Sequence, residues 1–211
     1  MNLWMPQGTV YGTLLNFRRE WDLWAPRMTQ DPHKAPPKAP VLYVKSANTF
    51  APAGQDLLLQ DSVQEVDIGA TLGLVIGAHA QLVGAALLLD WNVPHSSYYR
   101  PPVKFRCRDG FLGLPAQPSA CAPDARWDDV RIEVRCNQAL VQTVDLRELV
   151  RSVPQLLADV GEFMTLQPGD VLMVGTDCLP DGTRPRARVG DTVELSAPGL
   201  LPVRTHVKGL A

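Results

Sequence analysis

Nineteen prolines and sixteen glycines cut this sequence into short apolar runs, and that punctuation limits what it can fold into. Both residues are poor inside helices, whereas short apolar runs between turn residues are how strands read. Val10 to Leu15 and Val41 to Lys45 are two such runs. Between them Pro26, Pro32, Pro36, Pro37 and Pro40 predict a long irregular loop over residues 26–40. Thr71 to Ile76 and Leu82 to Leu89 are almost wholly apolar, the pattern of strands buried on both faces. Val130 to Cys136 alternates instead. Val130, Ile132, Val134 and Cys136 share one face, while Arg131, Glu133 and Arg135 share the wet one.

The helical signal is confined to Asp145 to Val160. Asp145 with Glu148, and Ser152 with Gln155, have capping-box spacing, which predicts two short helices broken near Ser152 and ended by Gly161. Two Gly-Asp turns, Gly169-Asp170 and Gly190-Asp191, each lead into an apolar run. The fold class expected is mainly β with minor helix.

A chain of 211 residues, 45% of them hydrophobic, can bury one sizeable core. No linker divides it, so a single domain over residues 1–211 is expected. The formal net charge of −2 offers no basic field for nucleic acid. The cysteines at 107, 121, 136 and 178 lack CxxC spacing, which argues against a zinc or redox motif. Residues 1–6 do not read as a leader, and the longest apolar run falls far short of the ~20 residues that span a bilayer. No membrane association and a cytoplasmic location are expected.

Four segments, taken in order, resemble the fumarylacetoacetate hydrolase superfamily. Gly12-Thr13-Leu14-Leu15-Asn16-Phe17 resembles its opening strand and Asn-Tyr turn. Residues 66–77, VDIGATLGLVIG, resemble its "VDYExELavVIG" strand. Residues 165–176, TLQPGDVLMVGT, are close to its "TLxPGDvixTGT", and residues 188–194 to its "lxpGDxVev". The stretch Ser97-Tyr98-Tyr99-Arg100-Pro101, with Lys104 and then Cys107-Arg108-Asp109-Gly110-Phe111, narrows the likeness. It resembles the branch that breaks down homoprotocatechuate, an isomerase/decarboxylase acting on 2-oxo and 2-hydroxy-dienoic diacids. The resemblance implies a mixed β-sandwich roll. It also implies a chain with the length of one half of a two-half enzyme, resembling the first half, whose halves pair with each other.

The family's chemistry needs a hard divalent cation that chelates a 2-oxo acid. The resemblance places two of its carboxylates at Gly69 and Thr71 here, and only the third, Asp90, remains. No metal is therefore expected in this chain; Mg²⁺ or Mn²⁺ is expected only in a metal-bearing partner half. Glu65 and Asp67 precede the matching strand and read as a solvated turn. The lid's acid–base pair falls on Glu20 and Leu23, which leaves Glu20 alone as a base. The family lysine falls on Arg106, which clamps a carboxylate but shuttles no proton at neutral pH.

Arg100, Lys104, Arg106 and Arg108 form a basic cluster that reads either as ordinary ion pairing or as a wall for a small dicarboxylate 2-oxo acid. Thr176 falls on the family's substrate-contacting Gly-Thr. His33, His79, His95 and His206 lack ligand spacing. The candidate residues are thus Asp90 and Glu20 for catalysis, and Arg100, Arg106 and Thr176 for substrate. Three functions stay open at this point. The chain is the metal-less half of an isomerase/decarboxylase, paired with a metal-bearing half or with itself. Alternatively it is a metal-independent keto–enol isomerase using Glu20 and Asp90, or a non-catalytic organic-acid-binding module. The aromatic and apolar groups at Trp91, Tyr98, Tyr99 and Pro101 to Val103 suit an interface.

Overall fold

A computed structural model describes residues 2–95, 102–121 and 125–210. The chain runs through β1 (Val10–Leu14), α1 (Arg18–Met28), β2 (Val41–Lys45), β3 (Phe50–Ala51), β4 (Leu57–Leu59), β5 (Val66–Ile76) and β6 (Leu82–Asn92). It continues through α2 (Val103–Arg106), β7 (Leu112–Gly113), β8 (Ser119–Ala120), β9 (Arg131–Cys136), β10 (Ala139–Asp145) and α3 (Val153–Gly161). The last strands are β11 (Val171–Met173), β12 (Arg186–Ala187), β13 (Thr192–Ser196) and β14 (Val203–Gly209). Among the described residues these strands form two mixed sheets. One follows the path β2-β1-β11-β5-β6-β7-β3, with β12 on β5 and β8 on β6; the other follows β10-β9-β13-β14-β4.

The two apolar runs become the long antiparallel pair β5–β6, and both faces of that pair are covered. Leu72, Leu74, Leu87 and Leu89 face Ile132, Val134, Val193 and Leu195 of the second sheet in the main core. Val75, Ala86 and Leu88 face the other way, onto Val10, Leu112 and Met173. β9 alternates as expected, with Ile132 and Val134 buried and Arg131 exposed.

The Gly-Asp turns work as their chemistry requires. Gly169 and Gly190 both take positive φ, 90° and 98°. The Asp170 carboxylate accepts from Gln167 N at 2.8 Å and from Thr9 N at 2.7 Å, so it also fastens the strand leading into β1. Asp170→Ala strips a buried turn of two charge-assisted bonds and is expected to cost about 2 kcal/mol. A urea midpoint unchanged from wild type would show that the turn holds without them.

The helices depart from the sequence reading in two places. The sequence carries no helical signal at α1 and reads Pro26 as loop; the helix instead runs to Met28, and the irregular segment starts after it. Pro26 sits in the last turn, so the one bond it forfeits leaves the preceding turns intact. Near Asp145 the chain makes a single 3-10 turn, Leu146–Glu148, rather than a helix; Asp145 accepts from Arg147 N. α3 forms where expected, with Ser152 Oγ accepting from Gln155 N and Pro154 in the first turn. No helix among the described residues is long and apolar enough to cross a membrane.

Candidate functional site

The β5–β6 register sets Gly69 opposite Asp90 and Thr71 opposite Leu88. Residues two apart on a strand share a face, so 69 and 71 address the same space. That space is already full. A Cβ on Gly69 would lie 2.5 Å from the Asp90 carbonyl oxygen and 2.9 Å from Thr176 Cγ2. Thr71 is wholly buried, and its hydroxyl has no hydrogen-bond partner among the described residues.

Asp90, 2% exposed, is enclosed by charge. Lys45 Nζ lies 2.8 Å from one carboxylate oxygen; Arg106 Nη1 lies 3.5 Å from the other, which also accepts from the Tyr43 hydroxyl. Lys45 further donates to the carbonyls of Trp91 at 3.1 Å and of Arg106 at 2.6 Å. The Arg106 guanidinium stacks over the Tyr43 ring at 4.4 Å, and that ring lies where a side chain on Gly12 would be. Burial pushes the Asp90 carboxyl up, but Lys45 and Arg106 outweigh it and hold the group below the usual carboxylate range. Burial draws Lys45 down, only partly offset by Asp90, and raises the Tyr43 phenol well above its ordinary value, with Asp90 adding to the rise.

These residues do not fit a hard divalent ion. Such an ion takes about six oxygen ligands, usually with more than one carboxylate. Here one carboxylate remains, two side-chain cations already flank it, and positions 69 and 71 supply none. Among the described residues no three His, Cys, Asp or Glu side chains come together as ligands. Glu65 and Asp67 supply no rescue. Glu65 pairs with Arg186 and with Arg188 at 3.1 Å, and Asp67 pairs with Arg186 at 3.3 Å. Asp67 moreover lies inside β5 rather than ahead of it, which corrects the sequence reading.

A second polar cluster adjoins the first at Gly69. Arg184, in the loop before β12, donates through Nε to Thr176 Oγ1 at 3.2 Å and through Nη2 to Glu20 Oε1 at 2.8 Å. Glu20, in the first turn of α1, accepts from Leu15 N at 3.3 Å with its other oxygen. Arg19 on the same helix pairs with Asp177 at 3.3 Å and donates to Cys178 O at 2.6 Å. Burial raises Asp177 above its ordinary value, and raises the neighbouring Cys178 thiol to about 11. A cavity of about 330 Å³ opens between α1 and the segment that follows it, with Glu20 in its wall.

The structure thus brings Asp90, Thr176 and Glu20 into one region through Gly69 and Arg184. Arg106 is there too, but turned onto Asp90. Lys104 and Arg108 instead face a separate groove of about 550 Å³, beside Asn48, Asp56 and Asp109, so the described basic residues do not build one wall. Arg100, Tyr98 and Tyr99 lie outside the described residues. His95 stacks on Phe105 at 4.7 Å. Tyr43, Lys45 and Arg184 escaped the sequence reading. The only hint was that the apolar run from Val41 ends on a lysine.

Residues 9–208 match the family described as fumarylacetoacetate (FAA) hydrolase C-terminal. Over 204 residues the chain is 34% identical to the 4-hydroxyphenylacetate degradation bifunctional isomerase/decarboxylase of Salmonella dublin, covering 92% of this chain and 46% of that protein. The chain therefore spans about half the length of that relative. Its fold matches the 2-hydroxyhepta-2,4-diene-1,7-dioate isomerase from Mycobacterium marinum with a TM-score of 0.74 at 18% identity, covering 98% of this chain and 77% of the other. It also matches a fumarylpyruvate hydrolase from Pseudomonas aeruginosa, solved with Mn²⁺ and pyruvate, with a TM-score of 0.73 at 21% identity, covering 96% and 90%.

Proposed function

The chain belongs to the fumarylacetoacetate hydrolase family, and from that premise we propose that it is the metal-less half of an isomerase/decarboxylase acting on 2-hydroxy-dienoic and 2-oxo diacids. It would support a homologous, metal-bearing half in the cytoplasm, or pair with a second copy of itself. One observation carries the reading: Gly69 and Thr71 stand where ligands would be needed, and Asp90 is spent on Lys45 and Arg106. The half-length match to the bifunctional relative supports it. Mg²⁺ or Mn²⁺, in this reading, is held by the partner half.

The rival reading of a metal-independent isomerase loses one of its two bases. Asp90 is enclosed and ion-paired, so it has no open lone pair to offer a substrate carbon acid. The reading as an organic-acid-binding module keeps one observation in its favour, the Glu20–Arg184–Thr176 cluster beside an open cavity.

The test is to assay isomerisation and decarboxylation for this chain, for a metal-bearing homologous half, and for the two co-expressed. The expected result is no turnover by this chain alone with or without Mn²⁺, a stable complex, and higher activity in the pair than in the partner alone. Metal-dependent turnover by the isolated chain, or no complex with either partner or self, would overturn the proposal.

A further inference from the structure

We propose that a second copy of this chain docks on the open edge of β4, joining the second sheets of the two copies into one across a twofold axis at Leu58. The inference rests on the reading that the chain pairs, and it adds the surface and the occupant to that reading.

β4 ends the second sheet, with β14 on one side and no strand on the other among the described residues. The parallel register sets Val207, Lys208 and Gly209 against Leu57, Leu58 and Leu59. Leu59 O accepts from Leu210 N at 2.8 Å, so the backbone groups of Leu59 point at β14. Neighbouring residues of a strand send these groups to opposite sides, so Leu58 N–H and C=O point away from β14, to the open edge. That edge borders the groove of about 550 Å³ described above. Leu58 and Leu59 both line the groove although their side chains point to opposite faces, which places it along the edge of the strand rather than over a face.

A residue with both backbone groups facing outward is complementary to itself. Two copies related by a twofold axis form an antiparallel bridge there, each Leu58 N–H donating to the other's carbonyl. The rest of the groove fits the same axis. Leu58, Val103 and Leu210 line it at 48%, 60% and 50% exposure, and a second copy seated in the groove covers all three. Its α2 side carries Lys104 and Arg108; Asp109, which accepts from Asn48 at 2.7 Å, leaves that side net positive. Its β4 side carries Asp56, and Lys208, which pairs with Asp56 at 2.6 Å, does not line the groove. The axis brings the α2 side of one copy to the β4 side of the other, so unlike charges meet twice. The opposite edge of the same sheet is blunted: β10 bulges between Leu140 and Gln142, which interrupts the row of groups another strand would pair with.

Sedimentation of the full chain at tens of micromolar, together with cross-linking, tests this. Wild type should sediment at twice the chain mass. Leu58→Pro removes the N–H at the axis but no bond of the β4–β14 ladder, and Leu58→Lys sets two charges against each other there; each should weaken self-association at least tenfold. Circular dichroism checks that both variants fold, and Leu58→Lys, which keeps the backbone, decides if the proline variant does not. The bridge also places the two Leu58 Cα atoms about 5.5 Å apart, within disulfide range. Leu58→Cys should therefore give a covalent dimer on mild oxidation, while wild type, with its own four cysteines, and Leu140→Cys on the bulged edge should not. A monomeric wild type, folded Leu58 variants that associate as wild type does, or a cross-link through Leu140→Cys in place of Leu58→Cys would each overturn the proposal. The wider reading is judged apart from it. A wild-type monomer that still binds a metal-bearing half removes this surface and leaves the paired function standing, and a dimer through Leu58 that adds nothing to a partner's activity does the reverse.

Discussion

Replacing Asp90 with alanine is expected to destabilise the chain by about 3–5 kcal/mol, the scale for removing one member of a buried charge pair. The loss is large because of what remains. Lys45 has no exposed side-chain surface and Arg106 almost none, and both would stay buried without their shared counter-charge. A domain of ordinary stability, about 5–15 kcal/mol, would be left close to unfolding. Urea denaturation followed by circular dichroism reads this directly; a loss under about 1 kcal/mol would mean that the cluster contributes no more than surface pairs do. The same group sets an acid limb. Its carboxyl titrates lower in the folded chain than in the unfolded one, where about 3.9 applies. Its contribution is therefore complete above that value and drains away as pH falls through the folded pKa. Asp90→Asn should flatten the fall of the urea midpoint below about pH 4 relative to wild type.

Returning both glutamates, as Gly69→Glu with Thr71→Glu, is expected to give no metal site and a badly destabilised chain. The first side chain would start 2.5 Å from a backbone oxygen of the neighbouring strand, which cannot swing aside as a flexible side chain would. Overpacking of this kind costs about 1–3 kcal/mol, and a second buried carboxylate without a partner adds to it. Electron paramagnetic resonance of added Mn²⁺ should show free ion only. Stoichiometric Mn²⁺ bound at micromolar concentration by a folded double variant would show that the centre still accepts a metal.

Parts of this molecule lie open in the sequence and parts do not, for physical reasons. β5 and β6 are legible because a strand buried on both faces must be apolar almost throughout. α3 is legible because Ser152, Pro154 and Gly161 mark its ends locally. α1 is not: it buries only Glu20 and Met28, and it is tied down by Arg184, Asp177 and the Cys178 carbonyl, 158 to 164 positions away in the chain. The roll itself came from resemblance rather than from periodicity. At the site, Gly69, Thr71, Asp90 and Thr176 followed from aligned segments. Tyr43, Lys45 and Arg184 carry no local mark, since their roles exist only after β2 and the loop before β12 are brought to the β5–β6 pair. The basic run near Arg106 misled because α2 intervenes: on a helix, residues two apart point to nearly opposite sides, so Lys104 faces solvent while Arg106 turns inward.

The pairing of β1 with β11 is parallel, and so is that of β4 with β14. During synthesis β1 must therefore wait for residues 171–173 to complete its pairings, and β4 for residues 207–209. Such distant pairings make folding slow, because loop closure precedes the contacts that reward it. In the interval the long apolar β5–β6 pair lacks β11 on its flank, and the sheet over its face lacks β13 and β14. Nascent chains stalled before β11 should accordingly be sticky and need chaperone cover, while completed chains hold the pair enclosed.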